Sequence, residues 1–227
     1  MLLLFDIDGT LLLKASREHA EAMHVALRRV YGMTEPPTRL VEAAGRTDID
    51  IARQIALLGG VPALRFDEGL DDLRAEVAAL YAEMVPEDLS DRVAPGIGDL
   101  LETLAAREHV LLSLVTGNLE PVARMKLAAA GIGHWFPAGQ GGFGSDSEDR
   151  TELPAIARAR AGAPGPAHPR ADTLVIGDTP RDIACARADG VRCVAVAGGP
   201  YSPEELADAD AVARDARSLL SALDGLE

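Results

Sequence analysis

The sequence is short of several things, and each shortage closes off a class of function. Only two cysteines, Cys185 and Cys193, occur in 227 residues. Their spacing fits neither a metal cluster nor a disulfide framework, so each reads as a small buried apolar residue. Positive charge is scarce: 22 Lys and Arg stand against 36 Asp and Glu, for a net charge of −14. This argues against nucleic acid and against an anionic membrane surface as partners. It does not argue against a small anionic ligand, whose binding is decided by the charge of its own site. No apolar run reaches the length of a membrane span. The apolar run at the N-terminus lacks a basic leader and is broken by Asp6, so it is not read as a signal peptide. The expectation is a soluble, cytoplasmic protein. Lysine is nearly absent, with only Lys14 and Lys126.

What the chain does have is an apolar content of 48%, enough for one large domain or a domain with a smaller one attached. Its organising stretch is MLLLFDIDGTLLL, residues 1–13. Five apolar residues run into Asp6, Ile7, Asp8, Gly9 and Thr10, which reads as a buried strand of a parallel sheet meeting a turn. In an extended chain residues i and i+2 point to the same side. Asp6 and Asp8 therefore project together from the carboxyl end of a strand, where open α/β sheets place their ligands.

The following segment carries helical patterning only. Ser16 is placed to cap a helix with Ala20, Met23, Leu27 and Val30 on one face, ending near Tyr31-Gly32. Thr47 with Asp50 resembles a capping box opening a helix through Leu58. Asp67 is placed to cap a third, with Leu70, Leu73, Val77, Leu80 and Met84 on one face. From Pro95 onward strands and helices alternate. Strands are expected over 109–115, 173–176 and 191–196, and a short one near Ala211. Helices are expected over 97–107, 119–130, from Thr151 to about Ala161, and 181–189; another is capped by Ser202 and Glu205, and a last one closes the chain. Residues 139–144 are a glycine-rich turn or short strand. The pattern is that of an α/β fold: a Rossmann-like parallel sheet core with helices on both faces, plus a small all-helical domain. The expected core is 1–14 with 93–227, and the expected insert is 15–92.

Polar residues of useful kinds follow the expected strands. Thr116, Gly117 and Asn118 offer a hydroxyl and amides just before a helix, which suits a phosphate oxygen. Asp178 would sit beside Asp6 if their strands are neighbours, with Asp182 one helical turn later. Asp6, Asp178 and the Asp8 backbone carbonyl would give a hard cation such as Mg2+ its protein oxygens. Asp182 is either an outer partner of that site or a first-turn acid on the helix dipole.

FDIDGTLL resembles the first motif of the haloacid dehalogenase-like hydrolases, VTGN their second and GDTPRD their fourth. The resemblance covers essentially the whole chain and points to the small-cap (C1) branch, with phosphoglycolate-phosphatase-like members nearest. It implies Asp6 as nucleophile on phosphorus, Asp8 as general acid/base, Thr116 as phosphoryl binder and Asp178 as metal ligand, with Gly9, Thr10, Gly117 and Asn118 around the phosphate. The family's third motif most often supplies a Lys. Here Arg150 stands in a better place than Lys126, and its guanidinium can hold a phosphate oxygen and the nucleophile together. Arg46 lies where such caps carry residues that read the substrate.

These residues point to a Mg2+-dependent phosphatase acting on a small phosphorylated metabolite through an aspartyl-phosphate. A phosphomutase would use the same residues. A family dehalogenase would lack Asp8, and a phosphonate hydrolase would need a cap lysine where Arg46 stands. A non-enzymatic relative would have lost Asp6 or Asp8. Substrate identity and oligomeric state are left open at this level.

Overall fold

The computed structural model describes residues 1–226. In the core, six parallel strands form one sheet: β1 (Leu2–Phe5), β2 (Leu111–Thr116), β3 (Gly142–Phe143), β4 (Thr173–Gly177), β5 (Arg192–Val196) and β6 (Ala211–Ala213). Their order is β3-β2-β1-β4-β5-β6. β1 is central, with Phe5 opposite Leu114 on one side and Ile176 on the other.

The strands alternate sides in the core. Leu3 and Phe5 join a cluster with Leu101 and Leu104 of α5 (Ile97–Ala105), Ala123 and Leu127 of α6 (Glu120–Ala129), and Leu219 and Leu223 of α9 (Ala216–Asp224). Leu2 and Leu4 point the other way, to Leu153 and Ala157 of α7 (Leu153–Gly162) and Ile183 and Ala186 of α8 (Pro180–Asp189). Helices thus cover both faces, which is why the strands read as unbroken apolar runs. Cys185 and Cys193 are free thiols buried in the second cluster.

Between β1 and α5 the chain is helical: α1 (Arg17–Tyr31), α2 (Asp48–Leu58), α3 (Ala63–Glu68) and α4 (Leu70–Met84). These have their own apolar cluster, including Met23, Leu27, Ile49, Ile55, Phe66, Leu73, Val77 and Tyr81, against which Leu119 and Val122 of the core also pack. No helix among the described residues is long and apolar enough to cross a membrane.

Several local expectations are corrected. Ser16 does not cap α1: its backbone is already helical, and its hydroxyl donates instead to Asp8 Oδ1 at 3.1 Å. Asp67 lies inside the short α3, and α4 starts after Gly69. Asp149, not Thr151, accepts the amide that starts the turn leading into α7. Ser202 and Glu205 do exchange capping bonds, but they close a turn with no helix behind it. Capping chemistry closes one turn locally; whether a helix follows depends on an apolar face to bury.

Candidate active site

Parallel pairing brings three strand ends to one edge of the sheet. Asp6 directly follows β1, Thr116 ends β2, and Asp178 directly follows β4. Together with Asp8, Gly9, Gly117, Asn118 and Arg150 they line a cavity of about 530 Å³. The helical segment provides the remaining wall, with Arg46 among its lining residues.

Asp6 is buried, and Arg150 Nη2 lies 3.3 Å from its Oδ1. The same nitrogen also binds Asp182 Oδ1. One guanidinium thus links Asp6 to Asp182, whose other oxygen accepts from the Thr179 amide at 2.9 Å and hydroxyl at 2.8 Å, closing the capping box that starts α8. Asp182 is fully buried and already engaged on both oxygens. Arg150 lines the cavity, and its buried Nε has no protein partner.

Asp6, Asp178 and Asp182 each offer a carboxylate oxygen, all within 4.8 Å of one another. Burial, opposed by Arg150 but reinforced by Asp182 and Asp8, pushes the Asp6 carboxyl up to about 6. Burial, then Asp6 and Asp182, pushes Asp178 up to about 8 against a hydrogen bond from Thr10. Three carboxylates facing one arginine are short of positive charge, which a divalent cation would supply. The backbone makes room for the Asp178 carboxylate. A Cβ on Gly9, whose φ is +92°, would stand 2.2 Å from Asp178 Oδ2, and one on Gly199 would stand 2.1 Å from the same atom. Oxygen donors, burial and this cradle fit a hard cation. Thr10 is buried and gives its hydroxyl to Asp178 Oδ1 at 3.1 Å, so it fixes the carboxylate.

Asp8 has the opposite environment. Burial raises its pKa, but Lys126, His19 and Asn118 together outweigh this and hold the carboxyl down at about 2. Lys126 Nζ donates to both oxygens, at 2.6 and 2.9 Å, and Asn118 Nδ2 donates to Oδ2 at 2.9 Å. Lys126 is the residue that sequence reasoning passed over. It lies on α6, with its side chain fully buried and turned to the sheet edge. The signal was there: a lysine on a helical face otherwise formed by Val122, Ala123 and Leu127, in a chain with only two lysines. A buried ammonium needs a carboxylate.

Arg46 lines the cavity, but its Nη1 is paired with Asp50 Oδ2 at 2.6 Å. Other groups join the helical segment to the core. The Asp48 amide donates to the Gly117 carbonyl at 2.8 Å, and Asp48 Oδ2 accepts from the Leu119 amide at 2.7 Å. Thr47 Oγ1 donates to the Glu148 carbonyl at 2.7 Å.

Residues 3–187 match the family model described as haloacid dehalogenase-like hydrolase. A phosphoglycolate phosphatase of Rhodospirillum rubrum is 31% identical over 92% of this chain and 84% of its own length. Among solved structures, a β-phosphoglucomutase from Clostridium difficile superposes with a TM-score of 0.72 at 17% identity, over 99% of this chain and 96% of that one. CbbY from Rhodobacter sphaeroides, solved in complex with phosphate, gives 0.68 at 19% identity, over 98% of each chain. These last two likenesses speak for the fold. With the family model spanning most of its length and a curated relative of this similarity, the chain belongs to the haloacid dehalogenase-like hydrolase family.

Proposed function

We propose that the protein is a Mg2+-dependent phosphatase that hydrolyses a small phosphorylated metabolite through an aspartyl-phosphate on Asp6. The enzyme is a hydrolase acting on phosphoric monoesters, in keeping with its family and its phosphoglycolate phosphatase relative. The observation that carries the finer reading is the position of Asp6: at the end of the central strand, on the cavity, 3.3 Å from Arg150 and within the carboxylate cluster.

The Asp6 carboxylate attacks phosphorus in line as the bond from phosphorus to the ester oxygen breaks. Asp8 gives a proton to the departing oxygen. It then takes one from the water that cleaves the aspartyl-phosphate, releasing inorganic phosphate and Asp6. As it stands Asp8 is ionised and ready for the second step. A phosphate dianion arriving beside it raises its proton affinity for the first. Arg150 Nε, Thr116 Oγ1 and the amides after β2 are the groups that receive phosphate oxygens. Mg2+ held by Asp6, Asp178 and the Asp8 carbonyl would polarise the phosphoryl group and offset its repulsion from Asp6.

Residues 15–92 act in this reading as a cap on a core formed by 1–14 and 93–227, shielding the transfer from bulk water. Two buried free thiols and no membrane-length helix among the described residues agree with a cytoplasmic enzyme. The test is release of inorganic phosphate from phosphoglycolate, sugar phosphates, nucleotides and a generic aryl phosphate, with and without Mg2+. Conversion to an isomeric phosphate without release would instead assign a mutase.

A further inference from the structure

We infer that the alcohol part of the substrate is an apolar body, rather than a polyhydroxylated sugar or a two-carbon acid. This rests on the phosphatase reading above and adds the substrate class. The cavity's volume of about 530 Å³ falls in the range that encloses drug-sized ligands, far more than a phosphate and a glycolate require. Its catalytic end is Asp6, Asp8, Thr116 and Asp178. The wall from the helical segment carries an apolar strip, with Met23 of α1, Val41 of the following loop, and Ile51 and Ile55 of α2, beside polar His24, Thr38 and Arg39. Met23 and Ile55 are anchored in the cluster between these helices, and Val41 and Ile51 pack against it, so the wall exists before any ligand binds.

Two of the charged groups on that wall already face a carboxylate. His19 Nε2 lies 3.0 Å from Asp48 Oδ2, which also takes the Leu119 amide. The Arg46 guanidinium is paired with Asp50. Burial lowers the pKa of His24 against the pull of Glu21 and favours its neutral form. Sugar hydroxyls set directly against the Met23, Ile51 and Ile55 side chains would lose water partners that those side chains do not replace. A glycolate carboxylate would find Arg46 Nη1 already held by Asp50. Exposed Arg39, with no acidic partner among the described residues, is the remaining arginine of that wall.

The experiment compares ethyl, butyl and hexyl phosphate with phosphoglycolate and glucose 6-phosphate, all with Mg2+. The three alkyl alcohols leave with nearly equal ease, so chain length reports contact with the wall. The expected result is a rise in kcat/KM of about threefold to fourfold per added methylene, with hexyl phosphate the best of the five. Ile51→Ser and Val41→Ser, each checked for an unchanged unfolding profile, should cut the hexyl-to-ethyl ratio by about tenfold. Equal values along the series would overturn the inference. So would a preference for phosphoglycolate that Arg39→Ala removes. Either result leaves the phosphatase reading intact. If no monoester is hydrolysed, that reading fails, and the apolar wall is judged by calorimetry with ethylphosphonate and hexylphosphonate. Tighter binding of the longer chain supports it, and equal affinity overturns it.

Discussion

Lys126 and Asp8 lie 118 positions apart in the chain, yet the lysine Nζ binds both oxygens of the aspartate, at 2.6 and 2.9 Å. The ammonium has no exposure, whereas a quarter of the Asp8 side chain faces the cavity. The pair therefore does two things: it satisfies a buried cation and sets the charge of a reactive carboxylate.

Lys126→Met should separate the two effects. Removing one partner of a fully buried pair costs about 3–5 kcal/mol. Because Asp8 stays open to the cavity, the expected loss here is about 2 kcal/mol, seen as a fall in Tm of about 4–8 °C. Without the ammonium, Asp8 keeps its proton to higher pH, and as the proton donor of the first step it should move the basic limb of the kcat/KM profile upward. A profile identical to that of the wild type would show that Lys126 serves packing alone.

Asp6→Asn should remove turnover by about a thousandfold or more, since a neutral amide does not attack phosphorus. The substitution keeps the shape of the side chain, and the circular dichroism spectrum should be unchanged. Beryllium fluoride should inhibit the wild type by imitating the acylphosphate. Residual turnover within tenfold of wild type would remove Asp6 from the mechanism.

Metal and pH are linked through the raised carboxyls. Asp6 at about 6 and Asp178 at about 8 both lie above the ordinary 3.8. Between pH 4 and 8 the folded, chelated protein therefore holds protons that the unfolded chain has lost, and its stability should fall as pH rises through that window. Asp8, held at about 2, works in the opposite sense but only below 3.8, where stability falls as it is protonated. Mg2+ competes with the protons, so it should raise Tm more at pH 8 than at pH 6. A melting series with Mg2+ and with chelator reads this directly, and an equal Mg2+ effect at both values would count against the site.

Asp178 and Asp182 should give different defects when replaced by Ala. Asp178→Ala should raise the Mg2+ concentration needed for half-maximal activity by about tenfold or more with little loss of Tm. Asp182→Ala removes the capping box of α8 and leaves Arg150 without its close partner, so it should lower Tm by about 6 °C or more. If both variants shift the Mg2+ requirement equally, Asp182 is a ligand.

Arg150→Lys should not restore the commoner family chemistry. One guanidinium nitrogen contacts both Asp6 and Asp182, and a lysine ammonium lacks the planar fork that holds this geometry. The expected fall in kcat is about tenfold to a hundredfold.

The central strand, the two carboxylates after it and the alternation of strands with helices were legible because they are local. Asp6, Asp8, Thr116 and Asp178 each stand within a few residues of an apolar run that places them. Lys126 was not legible as an Asp8 partner, because its role depends on which face of α6 turns to the sheet edge. The Ser16 hydroxyl shows the same limit from the other side. Its position before α1 suggested a cap, but its backbone is already helical and its hydroxyl donates to the Asp8 carboxylate. The turn at Ser202 and Glu205 carries the right local bonds and lacks only the apolar stripe that would extend it.

The contact at Gly117 has a mechanical meaning. A Cβ there would stand 2.0 Å from the Arg46 carbonyl oxygen, and one on Gly144 would stand 2.0 Å from the Gly117 carbonyl oxygen. Three backbone segments are thus stacked like sheets of paper, with glycine as the thinnest spacer that chemistry offers. Replacing Gly117 with alanine would drive a wedge one methyl thick between the helical segment and the catalytic edge. The wedge would push apart the two parts of the molecule at the very amide that follows β2, so spacing and phosphate binding would be felt together.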